Sequence, residues 1–244
     1  MRKVILHYHL FKNAGTSLDA AFKENFSEEK GEWVTKEFPN QPAANREQVR
    51  QWILDNPQAK CFSSHTALFP VPVFEDIKVI PVIFFRHPID RMISAYSFEK
   101  KQGGISFGPT LARNTSLSGY LETRLSLVHD RQCRNFHAHR LSSMFNDKIG
   151  DEEFRALKAI NALPFIGLVE SYNRSLTKLE KMLCEEGFSD LRLVPLERNV
   201  SRTARVNIED KINNIEEQID KEVYRLLQDA NQIDLRIWNS LYND

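Results

Sequence analysis

The stretch Ile77–Phe85 constrains the fold more than any other, because it is apolar almost without interruption. A strand with one wet face alternates apolar and polar residues, whereas a strand covered on both faces does not. The run therefore predicts an inner strand of a parallel sheet with helices on each side. Its longest apolar run, Val79–Phe85, is about seven residues and is interrupted by Pro81, whereas a membrane span takes about twenty. Pro88 stands where a first helical turn accepts proline, and Ile89, Met92, Ile93 and Tyr96 follow at helical spacing.

The same alternation of strand and helix runs along the chain. Val4–Tyr8 reads as a strand, His9–Gly15 as a loop, and Thr16–Phe26 as a helix with Leu18, Ala21 and Phe22 on its apolar face. Glu28–Ala44 is polar, holds Pro39 and Pro42, and is expected as a surface excursion. Arg46–Asp55 is an expected helix and Lys60–Ser64 a strand ending at His65. Gly103, Gly104, Gly108 and Pro109 predict an irregular insertion from Gly103 to Ser118. Helical patterns cover Leu117–Met144, Glu152–Ala162, Tyr172–Glu186 and Ile208–Tyr242, the last with a break near Asn231–Asp234. Phe165–Val169 and Leu191–Leu196 are further strand candidates. Strands that alternate with helices imply one α/β domain over residues 1–244 with a parallel sheet covered on both faces.

Charge narrows the partners. Thirty-three basic residues balance 33 acidic ones, so neither nucleic acid nor an anionic membrane is an expected partner, and an anionic ligand must be caught by a local cluster. Cys61, Cys133 and Cys184 are three in number and widely spaced, which fits neither a disulfide framework nor a zinc site. The start, Met1 to Leu6, enters a strand pattern without a leader-like run, so a cytoplasmic protein is expected.

Two loops carry the chemistry. The first is Lys12-Asn13-Ala14-Gly15-Thr16-Ser17, between strand and helix, where backbone N–H groups and a helix N-terminus can face a phosphate. Gly15 permits close approach of an anion, Lys12 brings a mobile charge, and Thr16 and Ser17 bring hydroxyls. The spacing is not that of a Walker A loop, since Lys12 precedes the glycine by three residues. An ordinary turn capped by Thr16 or Ser17 explains the same residues. The second is Arg86–Tyr96. Arg86 ends the central strand at the edge where open sheets bind ligands, and its guanidinium can grip a phosphate. Ser94 lies off the apolar stripe and can donate to the same anion, although Arg86 or Arg91 could equally pair with Asp90 or Glu99 at the surface. Together the loops fit a ligand with two separated anionic groups.

His9-Leu10-Phe11-Lys12-Asn13-Ala14-Gly15-Thr16-Ser17-Leu18 resembles the 5′-phosphosulfate loop of sulfotransferases, approximately H-x-P-K-x-A-G-T-S-L in the carbohydrate group. Arg86-x-Pro88-x-x-Arg91-x-x-Ser94-x-Tyr96 resembles that family's 3′-phosphate motif. Phe165–Glu170 and Ile219–Tyr224 are similar, more loosely, to its late core strand and terminal helix. The likeness is strongest to the heparan sulfate 2-O-type and Golgi-type enzymes. Phe11 departs from the family's proline, which alters loop stiffness and removes no donor. The resemblance implies a three-layer sandwich around a central parallel sheet, the P-loop-kinase-like sulfotransferase fold. It also implies 3′-phosphoadenosine 5′-phosphosulfate (PAPS) as donor, a hydroxyl acceptor, saccharide by class, and no required metal.

On this likeness Lys12 meets the charge that builds on the departing phosphate oxygen, by analogy with phosphoryl transfer. Asn13, Ala14, Gly15, Thr16 and Ser17 hold the 5′-phosphate, while Arg86 and Ser94 hold the 3′-phosphate. Ser201 and Arg202, in the acid-free segment Arg198–Arg205, are further 3′-phosphate candidates, though a solvated loop accounts for those charges too. His65, at a strand end, is the candidate base, with Glu170 and His9 as substitutes, although a satisfied histidine at a strand end accounts for it too. Arg131–Arg140 carries three Arg, two His and no acid; it could face an anionic saccharide, but is expected as the wet side of a helix. His7/His9 and His137/His139 have i, i+2 spacing that could serve a metal, but no nearby carboxylate completes either set in the sequence. Two other readings stay open: a small-molecule or nucleotide kinase, and a nucleotide-binding module without chemistry.

Overall fold

The computed structural model describes residues 1–195 and 207–243. The chain forms two compact units, Met1–Phe85 with Arg140–Val200, and Arg86–His139 with Ser201–Asp244.

The first unit holds a five-stranded, all-parallel sheet flanked by helices. Its strands are β1 (Arg2–Tyr8), β2 (Trp33–Thr35), β3 (Cys61–Ser64), β4 (Ile77–Phe85) and β5 (Gly167–Leu168), in the order β2-β3-β1-β4-β5. The helices between its first three strands are α1 (Gly15–Lys23) and α2 (Pro42–Asp55). β1 and β4 pair over seven residues, from Arg2↔Ile77 to Tyr8↔Ile83. The chain passes from β1 to the edge strand β2, returns to β3 beside β1, then crosses to the other side of β1 with β4, which makes the carboxyl end of β1 a topological switch point. Crevices at such points bind ligands in open α/β sheets. Ile5, Leu18, Phe22, Val82 and Phe84 form the centre of the core on one face, and Ile83 and Phe85, which alternate with them, are buried too, which explains the apolar run in β4.

The second unit is helical. It contains α3 (Pro88–Gln102), α4 (Phe107–Asn114) and α5 (Leu117–Ser126). The short helix α6 (Phe136–Ser142) spans the boundary between units, and α7 (Glu152–Ala162) and α8 (Tyr172–Glu185) return to the first unit. α9 (Ile208–Glu217), α10 (Lys221–Ala230) and α11 (Gln232–Asn243) complete the second unit. Ile89 and Met92 of α3 pack with Tyr120, Leu121, Val223 and Leu227, and the stripe residues Ile93 and Tyr96 rest against this cluster.

Several expectations change. Glu28–Ala44 includes the edge strand β2, and the insertion Gly103–Ser118 contains α4. Leu117–Met144 is two helices, and Ile208–Tyr242 is three. The unexpected break lies before Asp220, whose carboxylate caps α10 by accepting from Glu222 N at 3.0 Å and Val223 N at 3.4 Å. Leu191–Pro195 forms no strand: Leu191 and Leu193 are buried, but the backbone of Arg192 and Leu193 bonds to Asn25 and Glu180 side chains. Leu196 lies outside the described residues. Among the described residues no helix is long and apolar enough to cross a membrane.

Candidate active site at the carboxyl end of the sheet

β1 ends at Tyr8 and the chain turns through His9–Ala14 into α1. Two residues that are not glycine adopt left-handed backbone in this turn, Lys12 at φ 64° and Ala14 at φ 60°. Such residues cost about 1–2 kcal/mol each, so the surrounding structure must impose the shape. Buried Asn13 between them donates from its backbone N to Leu10 O at 3.2 Å and from Nδ2 to Phe11 O at 3.0 Å, which pins the turn. Alternating left-handed residues bend backbone N–H groups into a concavity suited to anions. Ala14, not Thr16 or Ser17, is the N-cap of α1, and no side chain caps the helix. Ser17 N and Leu18 N bond to Ala14 O at 3.0 and 3.1 Å. Thr16 is exposed and Ser17 half-buried, with Lys12 half-buried just ahead.

Gly15 faces a histidine. A Cβ at this position would fall 2.1 Å from His9 Cδ2, so the close approach it permits is that of the imidazole. His7 and His9 alternate on β1 and share a face. Asp19, one turn into α1, lies between them and accepts from or shares a proton with His7 Nδ1 at 2.7 Å and His9 Nδ1 at 2.8 Å. Ser63 of β3, in register with His7, donates to Asp19 Oδ1 at 2.6 Å. The rings of His7 and His9 stack at 5.2 Å, and His65 lies against His9 with centroids 3.7 Å apart.

The electrostatics follow from this packing. Burial alone would push the Asp19 carboxyl up, but the two imidazoles outweigh it and hold it well below the usual carboxylate range. Burial lowers His9, against the pull of Asp19. His65 is lowered by burial and then by the neighbouring His9. His65 nevertheless remains exposed to solvent, and Glu37 accepts from its backbone N at 3.3 Å.

The expectation that no carboxylate stands near His7 and His9 is overturned by Asp19, remote in sequence from neither but carried in by the first helix. His7, His9 and Asp19 place three ligand atoms within 4.8 Å of one another, a donor set suited to a borderline divalent ion. Both Asp19 oxygens, however, are hydrogen-bonded directly to ring nitrogens, so an ion would have to replace those bonds.

Arg86 follows β4, the strand hydrogen-bonded to β1, and belongs to the second unit. Its Nε donates to Asp90 Oδ2 at 2.6 Å, and Lys211 of α9 reaches the same carboxylate at 2.8 Å to Oδ1 and 2.9 Å to Oδ2. This ion pair is largely buried rather than on the surface, with 17% of the Arg86 and 6% of the Asp90 side chain exposed. Burial would raise Asp90, but Arg86 and then Lys211 lower it overall. Ser94 is half-buried on α3. Arg91 is fully buried, donates from Nη2 to Gln132 O and lies 4.1 Å above the Phe136 ring, while Glu99 pairs with Arg124 at 3.0 Å and accepts from Tyr120 OH at 2.7 Å. Neither Arg91 nor Glu99 partners Arg86 or Asp90 through these bonds.

Arg131–Arg140 is not a wet helix face. His137 is buried, and its backbone N donates to Asp234 Oδ2 at 2.9 Å while Ala138 N donates to Oδ1 at 2.8 Å. Asp234 thus serves α6 from α11, and the buried Asn231 Nδ2 donates to Cys133 O at 2.8 Å.

The first unit therefore gathers Lys12, Asn13, Ala14, Gly15, Thr16, Ser17, His9 and His65 around the end of β1, and the second places Arg86 and Ser94 on the segment after β4. Glu170 is half-buried after β5. Ser201 and Arg202 lie outside the described residues. Sequence reasoning missed Asp19, Ser63 and Lys211. Asp19 had one usable signal, an acid on the first helix after a strand bearing two histidines.

Comparison with known proteins adds two findings. The model of a family described as Sulfotransferase family matches residues 1–243. An uncharacterized protein of Archaeoglobus fulgidus is 38% identical over 247 residues, covering 98% of this chain and 96% of the relative.

Proposed function

Since the chain belongs to the sulfotransferase family along residues 1–243, we propose that it acts as one sulfotransferase domain moving a sulfuryl group from PAPS to an acceptor hydroxyl. The family implies the P-loop-kinase-like, three-layer fold, with which the parallel sheet and its helices agree. One observation carries the reading: the strained turn Lys12–Ala14 leads into the open N-terminus of α1 at the switch point of the sheet. That is a seat for the 5′-phosphate, formed by Asn13, Ala14, Gly15, Thr16 and Ser17. Arg86 and Ser94 follow the strand adjacent to β1 and are assigned the 3′-phosphate, together with Ser201 and Arg202.

In the reaction the acceptor oxygen bonds to sulfur as the bond from sulfur to the 5′-phosphate oxygen breaks. Lys12 stabilises the charge gathering on that phosphate, which is greater in the transition state than in the bound donor. The acceptor proton passes to His65, exposed at the end of β3 and neutral near pH 7 because its pKa is lowered. A second assignment of the base, His9, is favoured by its bond to Asp19, which fixes Nδ1 as the protonated nitrogen and leaves Nε2 to accept. The acceptor class assigned is a saccharide hydroxyl, on the likeness of the two motifs to the heparan sulfate 2-O-type and Golgi-type enzymes.

The test measures transfer of labelled sulfate from PAPS to a panel of saccharides, alongside binding of 3′-phosphoadenosine 5′-phosphate (PAP) and of ATP with Mg²⁺. Transfer with tight PAP binding supports the assignment. Tight ATP binding without preference for PAP indicates a kinase, and PAP binding without transfer to any hydroxyl indicates a binding module.

A further inference from the structure

We propose that Lys211 is a second cation of the 3′-phosphate subsite, held beside Arg86 by the carboxylate they share on Asp90. The inference rests on the donor reading given above and adds to it a residue outside both sequence motifs.

The arrangement is an ordered triad. Asp90 is nearly buried and receives Arg86 Nε on Oδ2, at 2.6 Å, and Lys211 Nζ across both oxygens, at 2.8 and 2.9 Å. One carboxylate cannot neutralise two cations, so the triad keeps a net charge of about +1 at neutral pH. The surplus has an outlet: 44% of the Lys211 side chain is exposed, and its contacts with Asp90 occupy at most two of the three ammonium donors.

The pairing also decides where Lys211 stands. A lysine free on a helix surface samples many rotamers, and ordering it on a ligand costs part of what the contact gains. Asp90 meets that cost before the ligand arrives. Lys211 is the fourth residue of α9, so the donor's 3′-phosphate would tie α9 to the start of α3, where Arg86 and Asp90 lie. A phosphate monoester carries about −1.5 to −2 charges at pH 7, more than Arg86 alone balances.

The experiment compares binding of PAP and of adenosine 5′-phosphate, which lacks the 3′ group, to the wild-type protein, Lys211→Met and Lys211→Arg. Lys211→Met is expected to weaken PAP about tenfold while leaving adenosine 5′-phosphate within about twofold, and Lys211→Arg to restore most of the difference. Unchanged PAP binding in Lys211→Met, or equal losses for both nucleotides, overturns the role of Lys211 alone. If the wild-type protein itself does not prefer PAP, the donor reading fails and the inference falls with it. Thermal unfolding of each variant without ligand separates a lost contact from a lost fold: a Lys211→Met protein that unfolds as the wild type yet keeps its PAP affinity counts against the inference.

Discussion

His9 and Gly15 fit so closely that no carbon can be placed between them: a Cβ on residue 15 would stand 2.1 Å from Cδ2 and 2.4 Å from Nε2 of the imidazole. The contact joins the end of β1 to the first turn of α1, and its partner bond from His9 to Asp19 joins the same two elements one turn later.

Gly15→Ala is therefore expected to destabilise the protein by about 1–3 kcal/mol, because the added methyl must displace the ring or the helix start. His9→Ala vacates that space. In a double-mutant cycle the two changes should couple by about 1 kcal/mol or more. Strict additivity in denaturant unfolding would mean that the ring and the glycine do not share this space.

Lys12→Ala should lower kcat by about two to three orders of magnitude and leave the unfolding midpoint unchanged, since the side chain is assigned to developing charge. Single-turnover sulfate transfer measures it. Normal turnover would remove Lys12 from the chemistry.

Arg86→Ala should weaken PAP binding by about 2–5 kcal/mol, because it removes a desolvated cation and leaves Asp90 to Lys211 alone. Calorimetric titration gives the affinity directly. An unaltered affinity would place the 3′-phosphate elsewhere.

Stability should fall as acid protonates buried histidines. His87, packed edge-on against Trp238, is held down at about 4 chiefly by burial, against an ordinary value of 6.5. A lowered folded-state pKa gives stability that is complete above pH 6.5 and lost progressively as pH falls toward 4. The loss amounts to about 3 kcal/mol for this residue. His87→Gln should flatten the dependence over that window in urea melts, and an unchanged slope would assign it to other groups. Lowered pKa values at His65 and His9 point the same way for activity: the acid limb of kcat should lie below pH 6.5, because the base is neutral and competent above its own pKa.

How much of this was legible beforehand depended on whether local pattern or distant contact decided the outcome. Ile77–Phe85 and Glu152–Ala162 appear with the expected bounds because unbroken apolarity and helical periodicity are local signals. β2 escaped because three residues, one of them buried, show no period, and only pairing with β3 makes them a strand. Leu191–Pro195 failed in the reverse sense: apolar spacing suggested a strand, but side chains of Asn25 and Glu180 took its backbone groups. The Lys12–Ser17 and Arg86–Ser94 segments were readable as motifs. Asp19 and Lys211 were not, since each acquires its meaning from a partner on another element, and sequence separation hides such pairs. Arg131–Arg140 reads as solvent-facing because it is rich in charge, whereas Asp234 draws its backbone into the interior.

The seven-rung ladder between β1 and β4 has a bearing on when the protein becomes competent. Side chains on a strand alternate, so an offset of a single rung would turn both imidazoles to the opposite side of the sheet and present Tyr8 to Asp19 instead. The imidazole pair is thus a vernier for β1: histidine ring resonances shifted by Asp19 report the molecules in which this strand turns both rings toward the first helix.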